Sequence, residues 1–339
     1  MFEQPTTITA FAAHRPGQNL QTYQYQVDQL AAYQVLIDIT HCGVCRSDLH
    51  FLSNDWGDSH YPVIPGHEIV GRVIALGKEV DNLKQGQVVG VSWQVGSCQQ
   101  CHWCSIEREE FCHELKGLGM NQPGGFADKI VVDARFVVPL PASIPSEQAA
   151  VFMCAGLTSY NAIRVSNCHQ GDHIAVIGIG GLGHLAVQIA KAKGCRVTAF
   201  IDDTKHISAV KKLGADEVVH SYSIDFNNVQ QQFDAIINTV DDLENYDQWL
   251  ATLKPMGRFV FVSIPTQPLQ CDLFPLAIAE KSIVAIPAGN QQLLHEWIQF
   301  AQAHSIKALV ETVSLAKVNE ALQRLQQGDV QFRLVLTPN

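Results

Sequence analysis

The stretch HIAVIGIGGLGHLAVQIAKAKGCRVTAFIDD, from His173 to Asp203, decides the fold of this chain. An apolar run leads into a glycine-rich turn, an amphipathic helical pattern follows, and a second apolar run closes the stretch. The glycines permit a tight turn and let a pyrophosphate approach the amino terminus of the helix, where free N–H groups favour anions. A GxGxxG turn is a weak indication alone, but between a strand and a helix it predicts a dinucleotide-binding unit. Its candidate cofactor-binding residues are Gly178, Gly180, Gly181 and Gly183.

Strand and helix patterns continue to alternate after this stretch. The apolar runs VVHS, FDAIINTV, FVFVSI and SIVAIPA are typical of strands, and YDQWLATLKP is typical of a helix. Such alternation predicts an α/β Rossmann domain with a doubly wound parallel sheet. We assign residues 154–288 to this domain.

The sequence on either side has a different pattern of apolar and polar residues. Up to about residue 140, apolar and polar positions alternate, as in QVLIDIT, with frequent glycines, and this pattern predicts a β-rich domain with a few short helices. After the Rossmann segment come the helical patterns QLLHEWIQFAQAH and KVNEALQRLQQG and a final strand, FRLVLT. We infer that this tail rejoins the first domain, which then comprises residues 1–153 and 289–339.

The run HCGVCRSDLH, His41 to His50, is the centre of the predicted chemistry. A catalytic zinc usually takes three protein ligands and leaves the fourth position open. The candidates are Cys45, His67 in PGHEIVG, and Cys154 in CAGLTSY. Singly, a buried cysteine or histidine is more often a packing residue, so the prediction depends on their occurring together.

Two neighbours of Cys45 have separate predicted roles. Asp48 is expected to accept the far ring N–H of His67 and to fix its tautomer. Cys42 is expected to pack as a core thiol, although a redox sensor made of Cys42 and Cys45 is an alternative.

The strongest local signal is a second cluster of cysteines within residues 96–113. Four thiolates on one compact lobe can close a tetrahedral shell with no open position, which predicts a structural zinc. An iron–sulfur cluster is the main rival, and disulfides are the plainer alternative. A zinc-ribbon module for nucleic acid or protein would need basic residues here, yet the segment contains Glu107, Glu109 and Glu110. The predicted ligands are Cys98, Cys101, Cys104 and Cys112.

Composition limits the class of protein. With 339 residues and 47% apolar residues, the chain is long enough for two globular domains. Its formal charge of −10 argues against a nucleic-acid partner, which would require clustered Lys and Arg. No apolar run is long enough for a membrane span, and MFEQPTTITAF lacks the pattern of a signal peptide. We therefore expect a cytoplasmic protein without a membrane partner.

Together these motifs resemble the zinc-containing alcohol dehydrogenases of the medium-chain dehydrogenase/reductase superfamily, over essentially the whole chain. The motifs GHEIVG, PGGFADKIVV, CAGLTSY and VIGIGGLGHLA, with the four-cysteine lobe, are typical of the branch of cinnamyl alcohol dehydrogenases and bacterial aldehyde reductases. The resemblance implies a GroES-like catalytic domain beside the Rossmann domain. It also implies two zinc ions per chain and reversible hydride transfer between a nicotinamide cofactor and a primary alcohol or aldehyde.

The resemblance assigns roles to further residues. It implies that Glu68 can approach the catalytic zinc during ligand exchange. It implies Ser47 and His50 as a proton relay and Thr158 beside the nicotinamide. It implies Arg46 and Arg333 near the pyrophosphate, although surface charges are the plainer interpretation of both. Bulky residues over the alcohol site are implied at Trp56 and Trp93, where core packing is the alternative.

Cofactor choice is expected to depend on the end of the second Rossmann strand, where a carboxylate binds the 2′-hydroxyl of NAD and repels the phosphate of NADP. The resembled branch usually carries small hydroxyl residues there and uses NADPH, whereas this chain carries Asp202 and Asp203. This departure predicts NAD(H), with NADP(H) as the alternative. The acidic residue sits one place later than in typical NAD-dependent relatives, and both aspartates could instead cap the following helix.

Three other proteins remain as alternatives. A zinc-free quinone reductase of the same superfamily would not need the six cysteines and one histidine assigned to zinc. A sorbitol-type polyol dehydrogenase is expected to show a different third ligand. A zinc-ribbon binding protein is expected to show a basic patch around its cysteines. Members of the resembled family form dimers or tetramers, and we expect a homodimer or homotetramer here by analogy.

Overall fold

The computed structural model describes residues 5–203, 206–265 and 267–338. The chain divides into two compact units. The first, called the β unit, comprises Met1–Cys154, Asn290–Gln302 and Ala308–Asn339. The second, called the α/β unit, comprises Ala155–Gly289 and Ala303–Lys307.

The strands of the described residues are, in chain order, β1 (Thr6–Ala12), β2 (Gln21–Val27), β3 (Gln34–Val44), β4 (Ile69–Leu76), β5 (Val88–Val91), β6 (Gln94–Gly96), β7 (Lys116–Gly117), β8 (Lys129–Asp133), β9 (Val137–Pro139), β10 (His173–Ile177), β11 (Arg196–Ile201), β12 (Glu217–His220), β13 (Phe233–Asn238), β14 (Leu253–Phe261), β15 (Ser282–Ala285), β16 (Val310–Ser314) and β17 (Arg333–Thr337).

The α-helices of the same residues are α1 (Arg46–Ser53), α2 (His102–Ser105), α3 (Ser146–Val151), α4 (Leu157–Val165), α5 (Gly183–Ala192), α6 (Ile207–Lys212), α7 (Tyr246–Thr252), α8 (Leu273–Ile278), α9 (Gln291–Ala303) and α10 (Val318–Gln326). A single π-helical turn, Phe152–Gly156, lies between α3 and α4. Short 3₁₀ turns occur at Glu109–Phe111, Ala134–Phe136, Ser221–Ser223 and Leu315–Lys317.

The α/β unit contains a six-stranded parallel sheet in the order β12-β11-β10-β13-β14-β15. Counting from β10, this order is 3-2-1-4-5-6, the doubly wound Rossmann arrangement. Strand β10 is buried from its second residue onward because a central parallel strand is covered on both faces. Trp249 packs edge-on against Phe200 in the core, with ring centroids 4.8 Å apart. The predicted α/β fold class is confirmed.

The β unit is built around a seven-stranded sheet. Its main path is β16-β17-β3-β4-β5-β9, and β8 pairs with β3. Strand β3 is the longest and most central, because β4, β8 and β17 all pair with it in antiparallel register. The last strand, β17, joins β3 by pairing Leu334 with Val44. The carboxyl-terminal segment therefore completes the sheet that leads into the predicted zinc ligand Cys45.

Helix α3, the π turn and α4 follow one another directly, without a loop between them. One sequence expectation differs in detail from the structure. The helical pattern YDQWLATLKP ends as a helix at Thr252, and Leu253 already belongs to β14. The apolar Leu253 is fully buried in the strand, so pairing in the sheet overrides the helical pattern there.

Candidate metal centre and cofactor site

The first candidate ligand, Cys45, lies between β3 and α1. It has an extended backbone and is the residue before the first turn of α1. Its own N–H donates to Asp48 Oδ2 at 2.9 Å. Because β3 is held on both sides by other strands, the position of the Cys45 thiol is set by the sheet rather than by a loose loop.

Asp48 is fully buried and accepts three N–H groups. Besides the Cys45 amide, it binds the backbone N–H of Gly66 at 2.9 Å and His67 Nδ1 at 3.1 Å, both through Oδ1. The predicted contact between Asp48 and His67 is present. It directs the other ring nitrogen, Nε2, away from Asp48 and leaves it for a metal.

His67 and Glu68 precede β4, and the glycines packed around them leave no room for a side chain. Gly66 has a φ of +97°, and a side chain there would meet the backbone N of Phe126 at 2.8 Å. A side chain at Gly43 would meet Glu68 Oε2 at 1.9 Å. Gly43 is therefore required for the site, although nothing in the sequence indicates this beyond its place between Cys42 and Cys45.

The third candidate, Cys154, lies in the π-helical turn after α3. Such turns project a side chain differently from a regular helix and are frequent at functional sites. The Trp297 indole donates to the carbonyl of Phe152 at 3.1 Å, which ties this turn to helix α9. The sequence motif CAGLTSY did not indicate the π turn.

Ligand atoms of four residues converge in the β unit. One atom each from Cys45, His67, Glu68 and Cys154 lies within 4.8 Å of the others. Two sulfurs, one imidazole nitrogen and one carboxylate oxygen match the donors and the spacing of a tetrahedral zinc, whose bonds are about 2.0–2.3 Å long. Glu68 Oε2 is buried without a hydrogen-bond partner among the described residues, so one donor is available to a cation. These residues fit a zinc ion.

The charges of this cluster are strongly coupled. A hydrogen bond from the Cys154 thiol, followed by His67 and Arg333, holds the pKa of Cys45 well below its usual range. The same hydrogen bond and burial raise the pKa of Cys154. Burial opposes the charged form of His67, but the Asp48 carboxylate outweighs it and raises the pKa of the imidazole. The cluster thus favours a thiolate at Cys45, which is the form that binds metal.

Arg333 lies within the same cluster. It is 6% exposed, and its guanidinium donates to Glu68 Oε1. Burial raises the pKa of Glu68 to about 7, against the opposing charge of Arg333. Surface charge is therefore the wrong interpretation for Arg333, whereas its role near the pyrophosphate stays a prediction. No local sequence pattern indicates the Glu68 contact, because the two residues are 265 positions apart.

The other residues predicted near this site take the following positions. Ser47 Oγ lies 3.7 Å from Cys45 Sγ. His50 Nδ1 lies 2.7 Å from Asp55 Oδ2, and the Trp56 ring stacks on the imidazole with centroids 5.0 Å apart. Trp56 is 37% exposed, so it is not a core residue. The remaining two are the exposed Arg46 and the half-buried Trp93.

Replacing Asp48 with asparagine is expected to lower the affinity of the catalytic site for zinc by about 10–100-fold. Asparagine has a single acceptor oxygen, so one of the three N–H groups would face an NH₂ group. Retention of zinc against a chelator measures the effect. The exposed Asp58→Asn is the matched control. Equal retention in both variants would contradict the positioning role of Asp48.

The second cluster consists of Cys98, Cys101, Cys104 and Cys112, with all four sulfurs within 4.8 Å of one another. The Cys104 sulfur lies 3.6 Å from that of Cys101 and 3.9 Å from that of Cys98. A tetrahedral zinc with bonds of about 2.3 Å requires sulfurs about 3.8 Å apart. An iron–sulfur cluster would spread its cysteines over several iron atoms. The geometry therefore fits one metal ion.

Backbone N–H groups support this second cluster. The amide of Cys101 donates to Cys98 Sγ and that of Cys98 donates to Cys112 Sγ, both at 3.3 Å. Hydrogen bonds from the backbone, first from Gln100, lower the pKa of Cys98 to about 6. All ten cysteines of the chain are free thiols in the structure, and Cys42 packs in the hydrophobic core as predicted.

The glycine turn of the α/β unit has three distinct positions. Gly178 has a φ of +83° and follows β10 directly. A side chain at Gly183 would meet the carbonyl oxygen of Gly178 at 1.9 Å, so this glycine allows α5 to pack against the strand. At Gly180 there is nothing within 4 Å of an added Cβ. The turn is therefore closed at Gly183 and open at Gly180, as pyrophosphate binding requires.

One residue that no sequence motif indicated, Thr239, is hydrogen-bonded to this turn. Thr239 follows β13, the strand next to β10, and its hydroxyl donates to the carbonyls of Ile177 and Gly178 at 3.0 and 2.7 Å. The strand order reverses between β10 and β13, where nucleotides bind in such sheets.

The other predicted cofactor residues take the following positions. Asp202 and Asp203 directly follow β11, with Asp202 exposed and Asp203 half-buried. Thr158 is buried in α4, and Gly181 is half-buried in the turn.

Comparison with known proteins gives the family of the chain. Residues 31–142 match the alcohol dehydrogenase GroES-like domain, and residues 181–303 match the zinc-binding dehydrogenase domain. The chain is 37% identical to the aldehyde reductase AdhA of Synechocystis sp., over 97% of this chain and 98% of that protein. It belongs to the zinc-containing alcohol dehydrogenases of the medium-chain dehydrogenase/reductase superfamily, and is therefore an oxidoreductase.

Solved structures show the same fold. A cinnamyl alcohol dehydrogenase of Sorghum bicolor is 35% identical with a TM-score of 0.92, covering 98% of each chain. A CAD of Helicobacter pylori, complexed with NADP(H), is 27% identical with a TM-score of 0.90, covering 98% of this chain and 99% of that one. Among the described residues, none of the helices has the length and apolar character that a membrane span requires.

Proposed function

We propose that this protein reduces short aliphatic and aromatic aldehydes to primary alcohols, reversibly, with NAD(H) as the favoured cofactor and two zinc ions per chain. The observation that carries the proposal is the convergence of Cys45, His67 and Cys154 in one buried cluster. Three such ligands leave a fourth position for a substrate oxygen. The cysteine in the third position argues against a sorbitol-type polyol dehydrogenase.

The residues of the two metal clusters would have the following roles. When bound, zinc supplies a Lewis acid for the substrate oxygen, and the nicotinamide supplies or accepts the hydride. Cys45, His67 and Cys154 would hold the metal, and Glu68 could replace a ligand during exchange. Cys98 and its three partners would hold the structural ion, whose shell has no open position.

The Ser47 hydroxyl would exchange a proton with the substrate oxygen, because it lies beside Cys45. His50 would pass this proton to solvent. Its hydrogen bond to the half-exposed Asp55 supports this role, since it holds the imidazole next to a group that contacts solvent. Trp56, stacked on the His50 ring, would limit the space beside the relay. Trp56 and Trp93 would both narrow the substrate pocket with their bulky rings.

The α/β unit would bind the cofactor. The pyrophosphate would lie against the turn from Gly178 to Gly183, and Thr158 of the same unit would contact the nicotinamide. The role of Arg46 and Arg333 as countercharges for the cofactor stays a prediction. Asp202 and Asp203 would bind the adenosine ribose and repel a 2′-phosphate. The Helicobacter protein, complexed with NADP(H), shows that a protein of this fold can accept that phosphate. The preference for NAD(H) therefore depends on these two carboxylates.

We also propose that the two units act as the catalytic and cofactor domains of a cytoplasmic homodimer or homotetramer. Strand β15 ends the six-stranded sheet and pairs only with β14 among the described strands. Helix α8 exposes Leu273, Phe274 and Ile278 by about 70% each. An unpaired edge beside apolar side chains favours pairing with a second copy.

An aldehyde panel tests this function. The protein, purified with zinc, is expected to oxidise NADH during reduction of the aldehydes, with a higher kcat/KM than for NADPH. Replacing Asp202 with serine is expected to shift the ratio of the two kcat/KM values toward NADPH by about 10-fold, because about 1.4 kcal/mol of charge repulsion is removed.

The control for the cofactor variant is Asp225→Asn, which changes an exposed carboxylate of the same unit and should leave the ratio unchanged. A clear NADPH preference of the unchanged protein would contradict the role of the two aspartates. No turnover with either cofactor, in protein that contains both zinc ions, would contradict the aldehyde reductase assignment.

A further inference from the structure

The α/β unit contains two cysteines that neither metal site uses. Cys168 lies in the loop between α4 and β10, and Cys195 lies immediately before β11. Each thiol shifts the pKa of the other, so the two lie close together. The Cys168 thiol donates to the backbone carbonyl of Ile163 at 3.6 Å. The Cys195 sulfur also lies 3.5 Å from the carbonyl oxygen of His169, the residue next to Cys168.

The backbone imposes this approach. The N–H of Gly171 donates to the carbonyl of Gly194 at 3.0 Å, and the N–H of Arg196 donates to the carbonyl of Asp172 at 2.8 Å. These bonds continue the pairing of β10 with β11, in which His173 faces Arg196. The two segments that carry the thiols are therefore joined by the edge of the sheet, so the cysteines stay together while the unit is folded.

The two thiols differ in reactivity. Cys168 is half-buried and reachable from solvent, whereas Cys195 is only 1% exposed. The neighbouring Cys195 thiol lowers the pKa of Cys168 to about 6, and Lys193 contributes in the same direction. The interaction with Cys168, together with burial, raises the pKa of Cys195. Cys168 is thus suited to attack as a thiolate, and Cys195 is placed to resolve the product.

We propose that Cys168 and Cys195 form a reversible redox pair that exchanges with small-molecule disulfides such as oxidised glutathione. The Cys168 thiolate attacks one sulfur, the S–S bond of glutathione breaks, and one glutathione thiolate leaves. Cys195 then loses its proton and attacks the Cys168 sulfur of the mixed disulfide, which releases the second glutathione. Two protein thiols are oxidised, one disulfide is reduced to two thiols, and two protons are distributed between solvent and the leaving thiolates.

The cross-link would lie away from the cofactor turn. Both cysteines lie at the amino ends of strands, whereas Gly178 and Asp202 follow the carboxyl ends of β10 and β11. The disulfide would close a loop that contains β10 and α5, which restricts the unfolded chain. We expect the melting temperature of the oxidised protein to rise by about 5 °C, with little change in kcat.

Peptide mapping tests the proposal directly. Trypsin cuts after Arg164, Lys191, Lys193 and Arg196, so the two cysteines fall in different peptides, Val165–Lys191 and Gly194–Arg196. The zinc-loaded protein is equilibrated with mixtures of reduced and oxidised glutathione, quenched in acid, alkylated and digested. The expected result is a linked pair of these two peptides, whose amount follows the glutathione ratio and which dithiothreitol removes.

Three variants separate the pair from other thiol chemistry. Cys168→Ser and Cys195→Ser should each abolish the linked peptides, and the latter should leave Cys168 as a mixed disulfide. The matched control, Cys271→Ser, changes another half-buried cysteine of the same unit and should keep the linked peptides and the shift in melting temperature.

Zinc content, measured on the same samples, excludes an artefact of unfolding. The proposal is overturned if excess oxidised glutathione yields only a mixed disulfide at Cys168, or no modification there. It is equally overturned if the linked peptides appear only after zinc has been released. Because the readout is covalent, neither result depends on the aldehyde reductase activity.

Discussion

Replacing Cys154 with serine is expected to lower kcat/KM for aldehyde reduction by at least about 10³-fold. The variant loses one of the two thiolate donors in the cluster with Cys45 and His67. Lewis-acid polarisation by zinc contributes several kcal/mol, and about 4 kcal/mol corresponds to three orders of magnitude in rate. Zinc analysis should show about one ion per chain instead of two, because the four-cysteine cluster is untouched.

The control for this variant is Cys42→Ala. Cys42 lies three residues before Cys45, is 1% exposed and belongs to the hydrophobic core. Its replacement should reduce the melting temperature by a few degrees through lost packing, while both zinc ions and most of the activity remain. Undiminished activity and zinc content in Cys154→Ser would exclude this cysteine as a ligand.

Substitutions at two positions of the glycine turn are expected to separate an effect on folding from an effect on cofactor binding. Gly183→Ala places a methyl group 1.9 Å from the carbonyl oxygen of Gly178, so the strand and the helix must move apart. We expect this variant to lose about 10 °C or more in melting temperature and to bind NADH too weakly for measurement. Thermal unfolding and calorimetric titration measure the two effects.

Gly180→Ala is the comparison for that variant. An added Cβ at Gly180 has nothing within 4 Å, and its φ is not in the left-handed region. The folded protein should therefore tolerate it with a change of about 1 °C, whereas the dissociation constant for NADH should rise by about 10–100-fold because the methyl group occupies the space for the pyrophosphate. Unchanged affinity in Gly180→Ala would show that the cofactor does not lie against this residue.

The local parts of the protein could be predicted from the sequence. Short local patterns predict the Rossmann unit, the β-rich unit and the four-cysteine cluster, whereas Cys45, His67 and Cys154 are brought together only by the fold. Helix limits were less accurate. The pattern YDQWLATLKP is helical by composition, yet its last three residues belong to β14 because Leu253 is buried in the sheet.

Contacts between distant residues could not be predicted in this way. No local pattern indicates that Arg333 donates to Glu68, that Gly43 must leave room for Glu68, or that the Thr239 hydroxyl binds the carbonyl of Gly178. The π-helical turn at Cys154 was equally invisible, since it differs from a regular helix by one residue in its hydrogen-bond spacing.

The sequence by itself determined which donors the chain has and the order in which they occur, because residue type and short spacing decide what a thiolate, an imidazole or a glycine turn can do. The tertiary structure alone decided which of them meet. Pairing of β17 with β3 brings Arg333 to the metal cluster, and pairing of β10 with β11 brings Cys168 to Cys195. The physical reason is that sheet register joins segments far apart in the chain, and register depends on the burial of every strand in the sheet.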